Sequence, residues 1–242
     1  MLQLKNPHSV LATLQKRPTA VKSIEIQGSP HGASWKNVLE RAAECGVPIT
    51  NQKSAKRQRR RGQQTERIGG NSALVEPPSA VPLTGLLPRS GGSKELWLAF
   101  DTIQDPQNLG ALFRVAGFFG ICGIVMTRDK SAPITETVCD VSAGGVEHVP
   151  FSLVPNLAQA ITIVQKAGIW VIGTCERSTT SIREVPRDRH WMLVVGNEAD
   201  GLRRLTRKKC DQLCSLPANG PIPSLNVATA AAACLTVLST PV

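Results

Sequence analysis

The alternation of hydrophobic and polar positions divides this chain into two units. In the first unit, apolar positions at helical spacing predict helices over residues 8–14 and 38–43. Alternating positions predict a strand over residues 21–26, and a shorter strand is expected over 47–49. This pattern indicates a small domain of sheet and helices, which we assign to residues 1–76.

Strands and helices alternate more regularly over residues 94–242, which we assign to a second domain. The alternation is typical of an α/β protein whose mostly parallel sheet is covered by helices on both faces. In such sheets, ligands bind in the loops at the carboxyl ends of the strands. Strands are predicted over residues 96–100, 121–126, 149–154, 169–174, 191–196 and 212–216, and helices over 109–116, 134–145, 157–167 and 202–210.

Residues 213–238 form the most distinctive stretch of the second unit. The chain leaves a short strand, passes through a loop rich in proline and glycine, and enters an alanine-rich segment with apolar residues at helical spacing. We expect Ser224 to be the N-cap of this last helix. Backbone N–H groups and polar side chains would then form a cradle for a small polar ligand. Alternatively, the stretch is a stiff surface loop followed by a packing helix.

A connector rich in proline and glycine, residues 77–93, joins the two units, and a basic run precedes it. The whole chain carries a formal net charge of +10, which fits a polyanionic partner such as nucleic acid. The run would bind RNA phosphates, or it is a solvated connector. Its members are Lys53, Lys56, Arg57, Arg59, Arg60, Arg61 and Arg67.

Composition limits the classes of protein to which this chain can belong. No stretch has the apolar length of a membrane span, and the first residues lack the apolar core of a secretory signal, so we expect a cytoplasmic protein. The seven cysteines are an odd number without CxxC spacing. We therefore expect small buried thiols and no metal site.

Three polar loops carry the candidate chemistry, and each follows a predicted strand. The first holds Asn108 and Arg114, with Gly110 allowing a backbone or a ligand, such as a phosphate near Arg114, to come close. The second ends in Glu198, and the third holds Ser224 and Asn226. Each loop alone has an ordinary structural explanation, such as a helix cap or an acidic first turn. Together they are far more specific.

The segments PQNLGALFR, LVVGNEADGL and LPANGPIPSLNVATA resemble, in order and spacing, the three motifs of the SpoU (TrmH) family of SPOUT RNA 2'-O-methyltransferases. The resemblance covers roughly residues 94–240. The first unit looks like the small L30e-like RNA-binding domain of the subgroup that methylates guanosine in 23S rRNA. The resemblance implies a SPOUT fold with a C-terminal trefoil knot, S-adenosylmethionine as the cofactor, and a homodimer.

The resemblance also implies roles for individual residues. Asn108 and Arg114 would lie near the target ribose and its phosphate, and Arg114 would act mainly electrostatically, because a guanidinium is a poor base. Glu198, Ser224 and Asn226 would orient the ribose and the loops. Backbone groups near five positions would hold the cofactor: Thr174, Gly196, Leu216, Ile222 and Leu225.

The resulting expectation is an S-adenosylmethionine-dependent RNA methyltransferase that acts on a ribose 2'-hydroxyl, most readily of a guanosine in 23S rRNA. Within the family the substrate could instead be tRNA, because residues 66–77 read ERIGGNSALVEP where the rRNA subgroup usually carries a His-Gln-Gly segment. A non-catalytic RNA-binding protein could keep the same fold. A dinucleotide-dependent oxidoreductase is disfavoured, since no GxGxxG follows the first strand of the large sheet.

Overall fold

The computed structural model describes residues 1–27, 32–52, 70–88, 94–197 and 200–240. The predicted basic run and Glu198 lie outside these residues. Within them, no helix is long and apolar enough to cross a membrane.

The first unit is built on a mixed sheet of four strands in the order β1-β4-β2-β3, with β2 and β3 parallel and β4 antiparallel to both of its neighbours. The predicted helices and strands are present within a few residues of their expected positions. β1 and β4, which have three and four residues, were not predicted. The elements are β1 Leu2–Leu4, α1 Pro7–Lys16, β2 Val21–Gln27, α2 Ala33–Glu44, β3 Ile49–Gln52 and β4 Ser72–Val75.

The second unit contains a sheet of six strands in the order β10-β8-β9-β5-β6-β7, and every neighbouring pair is parallel. The predicted α/β class and parallel sheet are therefore confirmed. Its strands are β5 Leu96–Asp101, β6 Gly123–Thr127, β7 Phe151–Val154, β8 Trp170–Thr174, β9 Trp191–Gly196 and β10 Gln212–Cys214. Its helices are α3 Pro106–Phe118, α4 Glu136–Ser142, α5 Gly145–His148, α6 Leu157–Lys166, α7 Arg204–Lys209 and α8 Val227–Ser239.

Two apolar layers cover this sheet. On one face, Phe113 of α3 and Leu235 of α8 pack with Phe100 of β5. On the other face, Leu157 of α6 and Leu202, just before α7, pack in one cluster with the rest of that layer. Burial of side chains on both faces explains why the strands read as continuous apolar runs.

The first unit packs on α4 and α5 through polar contacts. Backbone N–H groups of Lys5 and Asn6 donate to the Asp140 carboxylate at 3.0 and 2.9 Å. Arg17 of α1's C-cap pairs with Glu147 of α5 at 2.7 Å. These contacts hold the two sheets in a defined relation.

The part of the proline-rich connector that the structure describes, residues 77–88, lies against the large sheet. It contains a 3-10 turn, Leu83–Leu86, whose last residue is buried. The Trp97 indole N–H donates to the Leu86 carbonyl at 2.7 Å, and the Val81 N–H donates to the Phe151 carbonyl at 2.8 Å. The expected division into residues 1–76, 77–93 and 94–242 stays a prediction.

Candidate active site

Three of the predicted cofactor positions, Thr174, Gly196 and Leu216, lie at or just beyond the carboxyl ends of strands in the large sheet. Strand register places Cys214 beside Thr174 and Asp101 beside Gly196. Because all six strands are parallel, their carboxyl ends meet at this edge, and Leu216 lies two residues after the end of β10. The loops that carry the candidate residues therefore converge there.

The start of α3 meets the start of α8 at this edge. The Asn226 side-chain amide donates to the Asn108 side-chain carbonyl oxygen at 2.7 Å. The Asn226 side-chain oxygen accepts from the backbone N–H groups of Ala228 and Thr229 at 2.9 and 3.4 Å. Asn226 is therefore the N-cap of α8, and the prediction that Ser224 holds this position is wrong. Both residues can cap a helix, but only Asn226 directly precedes the first helical residue.

Asn108 itself lies in the first turn of α3, after Pro106 at the first helical position. Asp105 is the N-cap, since its carboxylate accepts from the Gln107 N–H at 2.9 Å. Asn108 therefore does not cap the helix, and its side chain is available to meet Asn226. This hydrogen bond joins the first and third predicted motifs.

Arg114 is exposed on α3 and lines two open grooves. One groove, of about 310 Å³, also involves His8 and His148. The other, of about 390 Å³, runs beside Asn226 and Thr229. A guanidinium in this position can reach a phosphate that enters from either side.

The space beside Gly110 is filled by α4. A Cβ added at Gly110 would lie 2.7 Å from the Val141 Cβ and 2.9 Å from the Val138 carbonyl oxygen. The expected close approach is therefore real, but it is made by a neighbouring helix backbone. The alternative, a phosphate bound beside Gly110, is wrong because α4 occupies that space.

The loop after β9 is folded tightly on itself. A Cβ at Gly196 would overlap the Gly201 carbonyl group, and Gly201 has a φ of +64°, so both positions require glycine. The Gly201 N–H donates to the Asn197 carbonyl at 2.8 Å, and the Asn197 side chain donates to the Thr102 carbonyl at 3.2 Å. Gly196 therefore shapes the loop that would border the cofactor.

An ion pair between a buried carboxylate and a partly exposed arginine fastens the same loop and was not predicted. The Asp101 carboxylate, fully buried at the end of β5, accepts from the Arg203 guanidinium at 2.6 Å and from the Arg203 backbone N–H at 2.9 Å. The sequence feature that could have indicated this ion pair is an aspartate at the end of an otherwise apolar strand. A buried carboxylate requires such a partner.

The loop of residues 216–225 has the properties of a ligand cradle. Ile222 and Leu225 are 70% and 53% exposed, which is unusual for large apolar side chains. Within the described part of the chain, the backbone groups of this loop make no protein hydrogen bond. Free N–H and C=O groups beside exposed apolar side chains fit a nucleoside with an amino-acid tail, as in S-adenosylmethionine.

Neither the thiol near this edge nor the metal-ligating side chains of the described residues suggest a further reactive site. Burial raises the pKa of the Cys210 thiol to about 12, so this residue is a poor nucleophile. Among the residues that the structure describes, no cluster of three or more His, Cys, Asp or Glu side chains could hold a metal ion.

The fold and this edge define a parallel α/β protein with a candidate ligand site at the carboxyl ends of its strands. The SpoU rRNA Methylase family model matches residues 95–236, and the chain belongs to that family. The resemblance seen in the three motifs is thereby confirmed.

Relatives and solved structures agree with this assignment. A 23S rRNA (guanosine-2'-O-)-methyltransferase RlmB of Pseudomonas aeruginosa is 35% identical over 94% of this chain and 92% of the relative. The RlmB of Coxiella burnetii is 31% identical over 94% of this chain and 91% of the relative. The SpoU methyltransferase AviRb of Streptomyces viridochromogenes, in complex with the cofactor AdoMet, superposes with a TM-score of 0.78 at 20% identity, covering 98% of this chain and 88% of that one.

Proposed function

We propose that this protein transfers a methyl group from S-adenosylmethionine to the ribose 2'-hydroxyl of a guanosine in 23S rRNA. The observation that carries the proposal is the 2.7 Å hydrogen bond between Asn226 and Asn108, which joins the first and third family motifs at the carboxyl edge. Family membership and the activity in the names of the relatives support the same reaction.

The cofactor supplies an activated methyl group on a positively charged sulfur. Backbone groups near Thr174, Gly196 and Leu216 would hold it, since they lie at the carboxyl ends of three neighbouring strands. Ile222 and Leu225 would cover its apolar parts. This arrangement lets the protein work chiefly by positioning the two reactants.

The remaining site residues act on the ribose. The ribose 2'-oxygen would take the methyl group that the cofactor supplies, with the electron pair of the broken carbon–sulfur bond left on sulfur, and its hydroxyl proton would pass to solvent. Arg114 would hold the adjacent phosphate and stabilise the developing negative oxygen. Asn108, Asn226, Ser224 and Glu198 would orient the ribose and the two loops.

Further family features belong to the same proposal. We infer a C-terminal trefoil knot around the 216–225 loop, an L30e-like fold for the first unit, and a cytoplasmic homodimer in which the partner completes each site. The exposed position of Arg114 beside open grooves is compatible with a partner subunit there. The basic run between residues 53 and 67 would bind RNA phosphates.

Methyl transfer to defined RNAs tests the function. The purified protein is incubated with tritiated S-adenosylmethionine and either unmodified 23S rRNA or unmodified total tRNA, and the labelled ribose is mapped by resistance to alkali. We expect label at one guanosine of 23S rRNA. Label in tRNA alone would overturn the substrate, and label in neither RNA with cofactor bound would favour a non-catalytic RNA-binding protein.

Replacing Arg114 tests the site. We expect Arg114→Ala to lower kcat by about 10²–10³-fold, because a charge that stabilises the transition state is removed. The affinity for S-adenosylmethionine, measured by calorimetry, should change little. Arg187→Ala removes an arginine remote from this edge and should keep normal rates; a normal rate for Arg114→Ala would contradict the proposed role.

A further inference from the structure

A second cationic surface lies on α7, separate from the basic run before the connector. Five cations occupy seven consecutive residues, and all of them are exposed. Thr206, in the middle of the segment, is buried and fixes which side of the helix faces the protein. The five are Arg203, Arg204, Arg207, Lys208 and Lys209.

Helix stability does not account for this arrangement. Cations in the last turn are favoured by the helix dipole, which covers Arg207, Lys208 and Lys209. Arg203 and Arg204, however, stand at the N-terminus, where positive charge is disfavoured. The spacing of four residues between Arg204 and Lys208 also places like charges beside each other. The pattern therefore costs helix stability and calls for another cause.

These charges are also not neutralised within the protein. Of the five, Arg203 alone forms an ion pair within the described residues, with Asp101. Of the two carboxylates that flank the segment, Asp200 forms no ion pair within the described residues, and Asp211 accepts from the Gln165 side chain and the Val171 N–H at 2.9 and 2.8 Å. Four cations thus remain open to a polyanion.

The position of α7 connects this surface to the proposed site. The Arg203 backbone N–H and side chain both bind Asp101 at the carboxyl end of β5, so the helix begins at the edge where the motif loops meet. From there it runs beside the end of α6, where the Gln165 side chain donates to the Lys209 carbonyl at 2.9 Å. A strand of RNA that leaves the site could follow this line.

We propose that α7 binds phosphates of the substrate RNA beside the methylated nucleotide, so that RNA is held on the α6 side of the sheet as well as at Arg114. This inference rests on the proposed function for the identity of the RNA. The contact itself is a property of binding and can be measured without methyl transfer.

The test compares two variants that each remove two positive charges. Arg204→Gln/Lys208→Gln removes two of the four exposed cations of α7 and leaves Arg203 in place. Lys94→Gln/Arg187→Gln, the control, removes two charges near the opposite edge of the sheet. Binding of a labelled 23S rRNA fragment is measured by fluorescence anisotropy at several KCl concentrations, with S-adenosylhomocysteine present.

Each lost phosphate contact should reduce the slope of log K against log salt by about 1, so the α7 variant should lose about 2 and the control nothing. The melting temperature should not fall, because a like-charge pair has been removed. At saturating RNA, kcat should be retained while KM for RNA rises.

An unchanged slope for the α7 variant, as expected if α7 binds another protein instead of RNA, would overturn the inference. Equal losses in both variants would also overturn it, because they would reflect net charge rather than contact. The inference would also be overturned if the wild-type protein bound no RNA. A wild-type protein that binds RNA but transfers no methyl group would refute the proposed function, and the two slopes would still decide the role of α7.

Discussion

Two polar regions of this molecule use their hydrogen-bonding groups in opposite ways. At the junction between the sheets, Asp140 accepts from the backbone N–H of Asn6, and Glu147 accepts from Arg17, so the groups are satisfied inside the protein. At the carboxyl edge, the loop of residues 216–225 is exposed and makes no protein hydrogen bond within the described chain. The difference teaches that unused hydrogen-bonding capacity, rather than polarity, distinguishes a ligand site from a structural joint.

If this contrast is correct, Asn226 at the edge should affect catalysis more than stability. Asn226→Asp keeps the oxygen that caps α8 but loses the N–H that donates to Asn108. We expect kcat/KM to fall by about 10²-fold through misplacement of the motif loops, with a nearly normal melting temperature. Asn226→Ala also loses the cap and should cost about 1 kcal/mol of unfolding free energy.

Asn156→Asp is the matched control, because Asn156 caps α6 in the same manner and has no part in the proposed site. It should keep normal methyl transfer. Equal losses of activity in the two aspartate variants would remove Asn226 from the site.

Asp101 should combine both kinds of effect. Asp101→Asn leaves the Arg203 guanidinium and backbone N–H facing a weaker acceptor, and we expect a loss of about 1–3 kcal/mol, moderated by the partial exposure of Arg203. Urea unfolding measures this loss, and calorimetry should show weaker cofactor binding because the loop after β9 is released. Asp188→Asn breaks an exposed pair with Arg189 and should change neither quantity; similar effects from both would show that burial is irrelevant.

Glu147 at the junction should affect stability alone. The carboxylate holds Arg17 at 2.7 Å with only 7% of its side chain exposed, and it raises the pKa of the Arg17 guanidinium by a side-chain hydrogen bond. Glu147→Gln should therefore cost about 1–2 kcal/mol in urea unfolding, with kcat unchanged. Glu44→Gln, on an exposed helical pair with Arg41, should have a smaller effect. A large loss of kcat in Glu147→Gln would place the junction in the catalytic machinery.

The smallest effect concerns pH. Burial raises the pKa of the Asp140 carboxyl, against the lowering effect of two backbone N–H groups. The folded protein therefore holds this proton more tightly than the unfolded chain, so the contribution is present below the unfolded pKa and is lost as pH rises through the folded value. Relative to Asp140→Asn, the wild type should lose stability over that interval. Urea unfolding from about pH 3 to pH 7 measures the difference; parallel curves would contradict it.

The sequence predicted the large sheet well because long apolar runs separated by polar loops have few other solutions. It also predicted that Asn108 and Asn226 lie at the same edge of the sheet, because parallel strands place the loops that follow them together. The pairing of β1 with β4 was beyond it, because these strands lie about 70 residues apart and are very short. Local pattern contains no information about such a contact.

The unpredicted details of the site have the same origin. The choice between Ser224 and Asn226 as the cap depends on where the helix begins, which differs by two residues. The filling of the space beside Gly110 by Val141 and the pairing of Asp101 with Arg203 are contacts between distant segments. Composition alone could not specify either of them.

The packing of Leu86 against the large sheet limits where this chain can be truncated. A fragment that starts at residue 94 would lack Leu86, whose side chain lies against Gly123 and whose carbonyl receives the Trp97 indole N–H. Its sheet would then expose an apolar hollow and an unpaired donor, and it would tend to aggregate. We therefore expect a stable catalytic fragment to begin upstream of Val81, whose N–H donates to the Phe151 carbonyl, and not at the first strand of the large sheet.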